Sequence, residues 1–248
     1  MLEKIVDPYE RKARLAPALL ALVPPAAVVF LLYGIEWQPK SAFAGFLVSA
    51  GIFYLLASIA RELGKRLEDK LFVRWGGKPT TQLLRHRDHV LDPLTKRRYH
   101  GFLSARIGSD FPSAEDERKD GDAADHVYAA ATRWLLEKTR DKQRFPLLFA
   151  ENVAYGFRRN CLGLKPFALV IALAAASWVI ASSGVVDGAT VRWDLLHSMP
   201  LNAWSSLAIS LIACAVWSLF VTPRTARTAA FAYADMLLRS CDALAEQE

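Results

Sequence analysis

Four long stretches of apolar residues dominate the hydropathy pattern of this chain, at 16–33, 42–60, 164–186 and 201–221. A helix needs about 17–25 predominantly apolar residues to cross the hydrocarbon core of a bilayer, and each stretch reaches that length. Apart from Lys165 near the start of the third stretch, they contain no Asp, Glu, Lys or Arg. A soluble core does not require four such runs. The pattern therefore predicts an all-α integral membrane protein with four transmembrane helices.

The predicted spans come in two pairs, and a charged block lies between the pairs. This order predicts five segments: an N-terminal arm (1–15), a transmembrane hairpin (16–60), a helical domain (61–163), a second transmembrane hairpin (164–221) and a C-terminal helix (222–248). The middle block shows helical periodicity and no convincing alternation, so we expect it to be helical. It holds 21 of the 31 Lys and Arg residues against 15 Asp and Glu, and thus the whole formal net charge of +6.

The distribution of basic residues predicts the orientation. The loop 34–41 contains Lys40 as its sole Lys or Arg, and the loop 187–200 contains Arg192, whereas the arm, the block and the tail are rich in both. Cytoplasmic segments carry the excess of Lys and Arg in membrane proteins. We therefore expect the arm, the block and the tail, and with them both termini, to lie in the cytoplasm.

The fourth predicted span carries small polar residues at intervals of four. They are Asn202, Ser206, Ser210, Cys214 and Ser218. Residues at this spacing follow one slowly rotating face of a helix. Such a face permits close helix packing with hydrogen bonds across the interface, or it lines a narrow pore in a homo-oligomer. No charged residue occurs in the interior of a span, which argues against an ion-coupled transporter.

The middle block contains a cluster of basic and aromatic residues that we predict to bind a ligand. Its members are Arg85, Arg87, Lys96, Arg97, Arg98, Tyr99, His100 and Arg106. Guanidinium groups bind phosphate in a bidentate manner, and aromatic rings stack on bases. The alternative is attraction of the basic residues to anionic lipid, which also suits a second patch at 158–160. The cluster thus favours a phosphate-rich ligand such as a nucleotide or oligonucleotide.

Catalytic and metal chemistry find little support in the sequence. Cys161, Cys214 and Cys241 do not have metal-ligand spacing, and 86–92, with two His and two Asp, matches no established metal motif. The sequence therefore predicts no catalytic residue, no metal and no cofactor. A membrane-embedded lipid enzyme that uses His86, Asp88 and His89 remains an alternative.

Three blocks carry a resemblance to known proteins: RWGGKPTTQLLRHRD (74–88), TKRRYH (95–100) and ENVAYGFRRN (151–160). They resemble blocks in uncharacterised bacterial four-span membrane proteins. The general plan is similar to that of membrane effectors of anti-phage defence, in which a partner enzyme makes a nucleotide or oligonucleotide signal. The resemblance implies a signal-controlled pore or membrane-disrupting effector in the bacterial inner membrane, and it assigns no individual residue.

These patterns together predict a homo-oligomeric membrane effector that is not an enzyme. Its cytoplasmic domain would bind a phosphate-rich ligand, and its spans would conduct ions or perturb the bilayer. A passive membrane scaffold that recruits a cytoplasmic protein partner is the alternative function.

Overall fold

A computed structural model describes residues 8–34, 39–187 and 190–246, without the side chains of 39–50, 52, 53 and 187. Its helices are α1 (Glu10–Tyr33), α2 (Pro39–Trp75), α3 (Pro79–Leu84), α4 (Pro93–Ile107), α5 (Ala114–Lys119), α6 (Gly121–Lys138), α7 (Pro146–Ser182), α8 (Leu201–Leu219) and α9 (Pro223–Ala245). Two short strands, β1 (Val186–Asp187) and β2 (Thr190–Val191), form an antiparallel pair, and a 3₁₀ turn follows at Trp193–Leu196. The described chain is predominantly helical, which confirms the predicted all-α class.

Three of the helices, α1, α7 and α8, are long and apolar enough to cross a membrane. Within the apolar windows of these helices, 28%, 33% and 28% of the residues are buried inside the protein. Large apolar side chains therefore face outwards, among them Phe30, Val170 and Ile212. Water-soluble monomers rarely expose apolar surface on this scale. The pattern is that of helices whose outer faces contact lipid, as the first, third and fourth apolar stretches predict.

The second predicted span, 42–60, lies within α2, a helix of 37 residues that runs without interruption to Trp75. The backbone of this stretch is helical, but many of its side chains lie outside the described residues. A fourth transmembrane helix therefore stays a prediction from the sequence.

The chain divides into two compact units. Unit 1 comprises Met1–Leu67 and Gly156–Ala226, and unit 2 comprises Glu68–Tyr155 and Arg227–Glu248. The chain passes between the units three times, at 67/68 in α2, at 155/156 in α7 and at 226/227 in α9, so each boundary falls inside a helix. The segment 222–248, which the sequence sets apart, places most of its length in unit 2.

Close approach of helices defines the interior of unit 1. A Cβ atom on Gly163 of α7 would lie 2.7 Å from the backbone nitrogen of Gly64 in α2, so the two backbones are in direct contact. A Cβ atom on Gly156 would lie 2.9 Å from the Tyr9 hydroxyl, beside α1. Small residues allow membrane helices to pack at such short distances. Glycine at 64 and 163 is therefore a requirement of the α2–α7 crossing.

Unit 2 has its own hydrophobic core, to which five helices contribute. The core includes Leu83 and Leu84 of α3, Tyr99 and Leu103 of α4, Tyr128, Ala131 and Leu135 of α6, Leu148 of α7, and Leu237, Leu238 and Cys241 of α9. The α9 residues follow the spacing of three and four that places side chains on one helical face. That face explains why the C-terminal helix joins the unit instead of standing apart.

Candidate functional site

The predicted ligand cluster lies in unit 2, on the segment that joins α3 to α4 and on α4 itself. Asp92 caps α4, because its carboxylate accepts hydrogen bonds from the N–H groups of Leu94 and Thr95 at 3.0 and 2.9 Å. Pro93 occupies the first helical position, where the missing N–H costs nothing. The start of α4 thus has a carboxylate of its own at the place where a helix would otherwise attract an anion.

Arg85 is buried and holds the interior of unit 2 together. Its Nε and Nη2 atoms donate to the two carboxylate oxygens of Asp125 at 2.8 and 2.5 Å, and Nη1 donates to the Gly76 carbonyl at 2.8 Å. The hydrogen bonds with Asp125 raise the pKa of Arg85. Because the guanidinium is satisfied by protein groups, Arg85 is a structural residue in this conformation.

Lys96 is also buried, and its ammonium group fixes the loop that precedes α4. The Nζ atom donates to the carbonyl oxygens of Arg85 at 2.7 Å and of Asp88 at 2.5 Å. Burial lowers the pKa of Lys96, and the negative charges of Asp88 and Glu117 oppose this effect. The side chain therefore holds the 85–88 turn against α4 and does not face solvent.

His100 lies in an aromatic pocket beneath the same loop. Its Nε2 atom lies 2.8 Å from the Leu84 carbonyl, and its ring packs edge-on against His86 with centroids 5.0 Å apart. The rings of Phe111 and Tyr128 complete the pocket. Burial lowers the pKa of His100 to about 4, so the ring is neutral at pH 7. A neutral buried ring offers no positive charge to a phosphate.

Glu117 is the centre of the network, and the sequence analysis did not single it out. Its carboxylate accepts hydrogen bonds from the His86 N–H at 2.7 Å, the Tyr128 hydroxyl at 2.8 Å and the Arg87 N–H at 3.4 Å. Burial alone would raise its pKa, but these donors outweigh burial and lower the pKa of Glu117. It is a buried anion satisfied by three donors from two other segments.

Tyr99 and Arg98 connect α4 to α9 through one carboxylate. The Tyr99 hydroxyl donates to Asp242 Oδ2 at 3.0 Å, and the exposed Arg98 pairs with Asp242 Oδ1 at 3.0 Å. Burial, aided by the contact with Asp242, raises the pKa of Tyr99 to about 12. Tyr99 is thus a core residue with a satisfied hydroxyl, not an exposed stacking platform.

Three further members of the cluster lie nearer the surface. Arg87 has an exposed side chain whose Nε is 4.0 Å from Glu117. Arg97 is exposed and makes no hydrogen bond or ion pair with any residue that the structure describes. Arg106 is half-buried, with its guanidinium 5.1 Å from the centre of the Phe102 ring. Of the eight predicted ligand residues, Arg87, Arg97 and Arg98 are therefore the ones with exposed charges.

The polar face of the fourth apolar stretch is directed at α1. Asn202 Nδ2 donates to the Leu31 carbonyl at 2.9 Å, and Ser206 Oγ to the Ala27 carbonyl at 3.4 Å. Ser206 and Ser210 are fully buried, and Ser210 bonds back to the Ser206 carbonyl at 2.9 Å. The C-terminal part of the face differs, since Cys214 is half-buried and Ser218 is exposed. Within one chain, the N-terminal part of the face, from Asn202 to Ser210, is therefore a helix interface.

The second basic patch divides in the same way. Arg158 is exposed, whereas Arg159 is buried and donates to Asn160 Oδ1 at 3.3 and 3.2 Å. Asn160 is fully buried and donates from Nδ2 to the Ala13 carbonyl at 2.7 Å. Only Arg158 of the three is thus placed as a surface charge that anionic lipid can approach.

The described part of the chain offers few groups that could bind a metal ion or act as a reactive thiol. It contains no group of three His, Cys, Asp or Glu side chains that could hold a metal ion. The His86 Nε2 atom lies 2.9 Å from the Pro112 carbonyl. Cys161 and Cys241 are buried free thiols, and burial raises the pKa of Cys241 to about 12. A thiol in that state is unreactive at neutral pH.

Comparison with known proteins adds no relative to this picture: no protein-family model, no curated protein and no solved structure matches the chain.

Proposed function

We propose that the protein is a homo-oligomeric effector of the bacterial inner membrane that responds to a phosphate-rich ligand. In this proposal a nucleotide or oligonucleotide, made by a partner enzyme, binds unit 2 on the cytoplasmic side. The spans then conduct ions or perturb the bilayer, as in anti-phage defence. The supporting observation is that α2 and α7 each pass without interruption from an apolar segment into unit 2. A change in unit 2 thus has two continuous helices through which to reach the apolar segments.

The exposed guanidinium groups identify where the ligand is to be sought. Arg87 and Arg97 are exposed, and Arg97 lacks a carboxylate partner among the described residues. Arg98 already shares its charge with Asp242. Because phosphate binding uses guanidinium groups that are open to solvent, Arg87 and Arg97 are the primary contacts in this proposal. Arg85, Lys96, Tyr99 and His100 then support the ligand surface from beneath.

The test is ion flux from liposomes that contain the purified full chain. A panel of cyclic dinucleotides, linear oligonucleotides and ATP is added on each side, and at least one is expected to trigger flux. Arg87→Glu and Arg97→Glu should each abolish the response. Arg133→Glu, which reverses an exposed charge on α6 outside the cluster, is the matched control. No flux under any ligand, or equal flux in all three variants, contradicts the proposal.

A membrane scaffold is the second candidate, and exposed apolar side chains on unit 2 favour it. Val90 and Leu94, on either side of the Asp92 cap, are 69% and 73% exposed. Trp134, the large aromatic residue on α6, is partly buried and packs against Phe102 and the core, so it does not serve as an exposed anchor. A scaffold predicts no ligand-dependent flux, together with retention of a cytoplasmic partner that is lost in a Val90→Ser, Leu94→Ser variant.

A further inference from the structure

Unit 1 contains an open groove of about 560 Å³ between α1, α7 and α8. Its walls are apolar and include Leu20 and Val23 of α1, Cys161 of α7, and Ile212 and Trp217 of α8. Leu20, Val23 and Ile212 are 47%, 45% and 62% exposed, so the groove opens on the outer surface of these helices. The volume falls within the range of about 300–1,000 Å³ that is typical of ligand sites.

The polar groups of the groove are confined to one end. Arg158 and Thr225 lie there, with Arg158 Nη1 3.3 Å from the Thr225 carbonyl. The rest of the exposed guanidinium is free of hydrogen bonds and ion pairs with the residues that the structure describes. The same end holds the last turn of α8, where Lys165 Nζ donates to the carbonyl oxygens of Ser218 and Val221 at 3.0 and 2.9 Å. The groove is therefore apolar along its length and positively charged at its mouth.

The length of the groove matches one leaflet of a bilayer. Along α8 and the residue that caps it, the lining extends from Ile209 to Phe220, a distance of about 16 Å at a rise of 1.5 Å per residue. The hydrocarbon core of a bilayer is about 30 Å thick, so one leaflet contributes about half of that. By the distribution of basic residues, the end that carries Arg158 is the cytoplasmic end.

We propose that this groove binds an anionic phospholipid, with one acyl chain between α1, α7 and α8 and the phosphate on Arg158. An acyl chain has the length and apolarity of the groove and carries no backbone groups that would need hydrogen bonds. The guanidinium forms a charge-assisted contact with the phosphate at the depth where the headgroup lies. A lipid bound in this way contacts three helices at once and stabilises their packing by mass action.

Native mass spectrometry of the purified full chain in detergent tests the proposal. Phosphatidylglycerol and phosphatidylcholine with identical acyl chains are titrated separately, and glycerol phosphate is added as the headgroup without a chain. We expect about fivefold tighter binding of phosphatidylglycerol, the preference that one basic side chain near an anionic surface supplies. Equal affinity for the two lipids, or equal competition by glycerol phosphate and phosphatidylglycerol, would overturn the proposal.

Two pairs of variants separate the headgroup contact from the groove. Arg158→Gln should weaken binding of phosphatidylglycerol more than that of phosphatidylcholine, whose choline cation offsets its phosphate, and so remove most of the preference. Arg61→Gln, at an exposed position of α2 outside the groove, should retain the preference. Ala213→Phe fills the groove and should weaken both lipids at least fivefold. Ala208→Phe makes the same change on an exposed part of α8 outside the groove and should not.

Val23→Phe narrows the groove from α1 and serves in place of Ala213→Phe if that variant fails to fold. An Arg158 variant that behaves like the Arg61 variant would refute the phosphate contact. A filled groove with unchanged lipid affinity would refute the acyl-chain site.

Discussion

The polar side chains of the two units are satisfied in different ways. In unit 1, the donors Asn160, Asn202 and Lys165 reach backbone carbonyl oxygens of neighbouring helices. In unit 2, two arginines pair with carboxylates, Arg85 with Asp125 and Arg98 with Asp242, while Lys96 donates to backbone carbonyl oxygens. The difference follows from composition, because the apolar segments of unit 1 contain no Asp or Glu and the backbone is the available acceptor.

Different interactions fix the packing of the helices in the two units. A hydrogen bond from an amide or hydroxyl to a carbonyl is worth little in a membrane, so close helix contact must define the geometry of unit 1. An ion pair with a buried member is expensive to break once formed, so the Arg85–Asp125 pair fixes the packing of unit 2, whereas the exposed Arg98–Asp242 pair contributes little. Glycine contacts in one unit and carboxylates in the other therefore have corresponding roles.

The largest effect is expected on removal of the cation at the centre of unit 2. Arg85→Met leaves Asp125 without its partner and should lower the free energy of unfolding by about 3–5 kcal/mol. Adding Asp125→Leu should recover part of this loss, since no uncompensated charge then remains. Denaturant unfolding of the full chain in detergent micelles measures both. Arg133→Met, at an exposed position, should change stability by less than about 0.5 kcal/mol.

The buried histidine should make unit 2 sensitive to acid. His100 has a pKa of about 4 in the fold against 6.5 for a free side chain. As the pH falls from 6.5 to 4, the unfolded chain takes up a proton that the folded chain does not, so stability decreases across that window. The decrease amounts to at most about 3 kcal/mol.

His100→Gln retains a donor for the Leu84 carbonyl but does not titrate, so its unfolding temperature should vary less between pH 6.5 and 4. The same replacement at the exposed His89 provides a control for the loss of an imidazole from unit 2. Identical profiles for the wild type and His100→Gln would exclude a neutral buried His100.

The crossing of α2 and α7 should be sensitive to a single methyl group. In Gly163→Ala the new Cβ would lie 2.7 Å from Gly64 N and 2.8 Å from Leu63 C, and backbone atoms cannot move aside as side chains do. We expect a loss of about 1–3 kcal/mol, measured by thermal unfolding in detergent. In Gly51→Ala on α2 the new Cβ would have no neighbour within 4 Å among the residues that the structure describes, and it should instead stabilise the helix by about 0.5–1 kcal/mol. Similar effects at both positions would argue against the close crossing.

The smallest effect is expected at the polar face of α8. Asn202→Leu removes the hydrogen bond to the Leu31 carbonyl and should cost about 0.6 kcal/mol, with an upper bound of about 1.7 kcal/mol. Ser218→Ala, at the exposed end of the same face, should have no measurable effect on stability. A cost at Asn202 that approaches the cost at Arg85 would break the comparison between the two units.

The apolar stretches were readable from the sequence because their signal is local. Length and composition alone predict α1, α7 and α8 as membrane-crossing helices, and the structure agrees. Periodicity likewise predicts the helical character of unit 2. Such features depend on neighbouring residues within one segment, so no knowledge of the fold is needed to detect them.

The composition of the candidate ligand site was not readable in the same way. Arg85 and Arg97 look alike in the sequence, yet one is buried against Asp125 and the other is exposed. Asp125 is 40 residues from Arg85, and Asp242 is 144 residues from Arg98. No local pattern reports such distant partners, which is also why Glu117 was not singled out as the centre of the network.

The sequence by itself determined the segregation of apolar and charged residues, and hence the membrane helices and the helical unit between them. Only the tertiary structure decided which polar groups are used internally. It assigned Arg85, Lys96 and His100 to the interior of unit 2, and Asn202 and Ser206 to the contact with α1. The reason is physical: burial and partnership depend on long-range packing, in which each donor takes whichever acceptor the fold brings within reach.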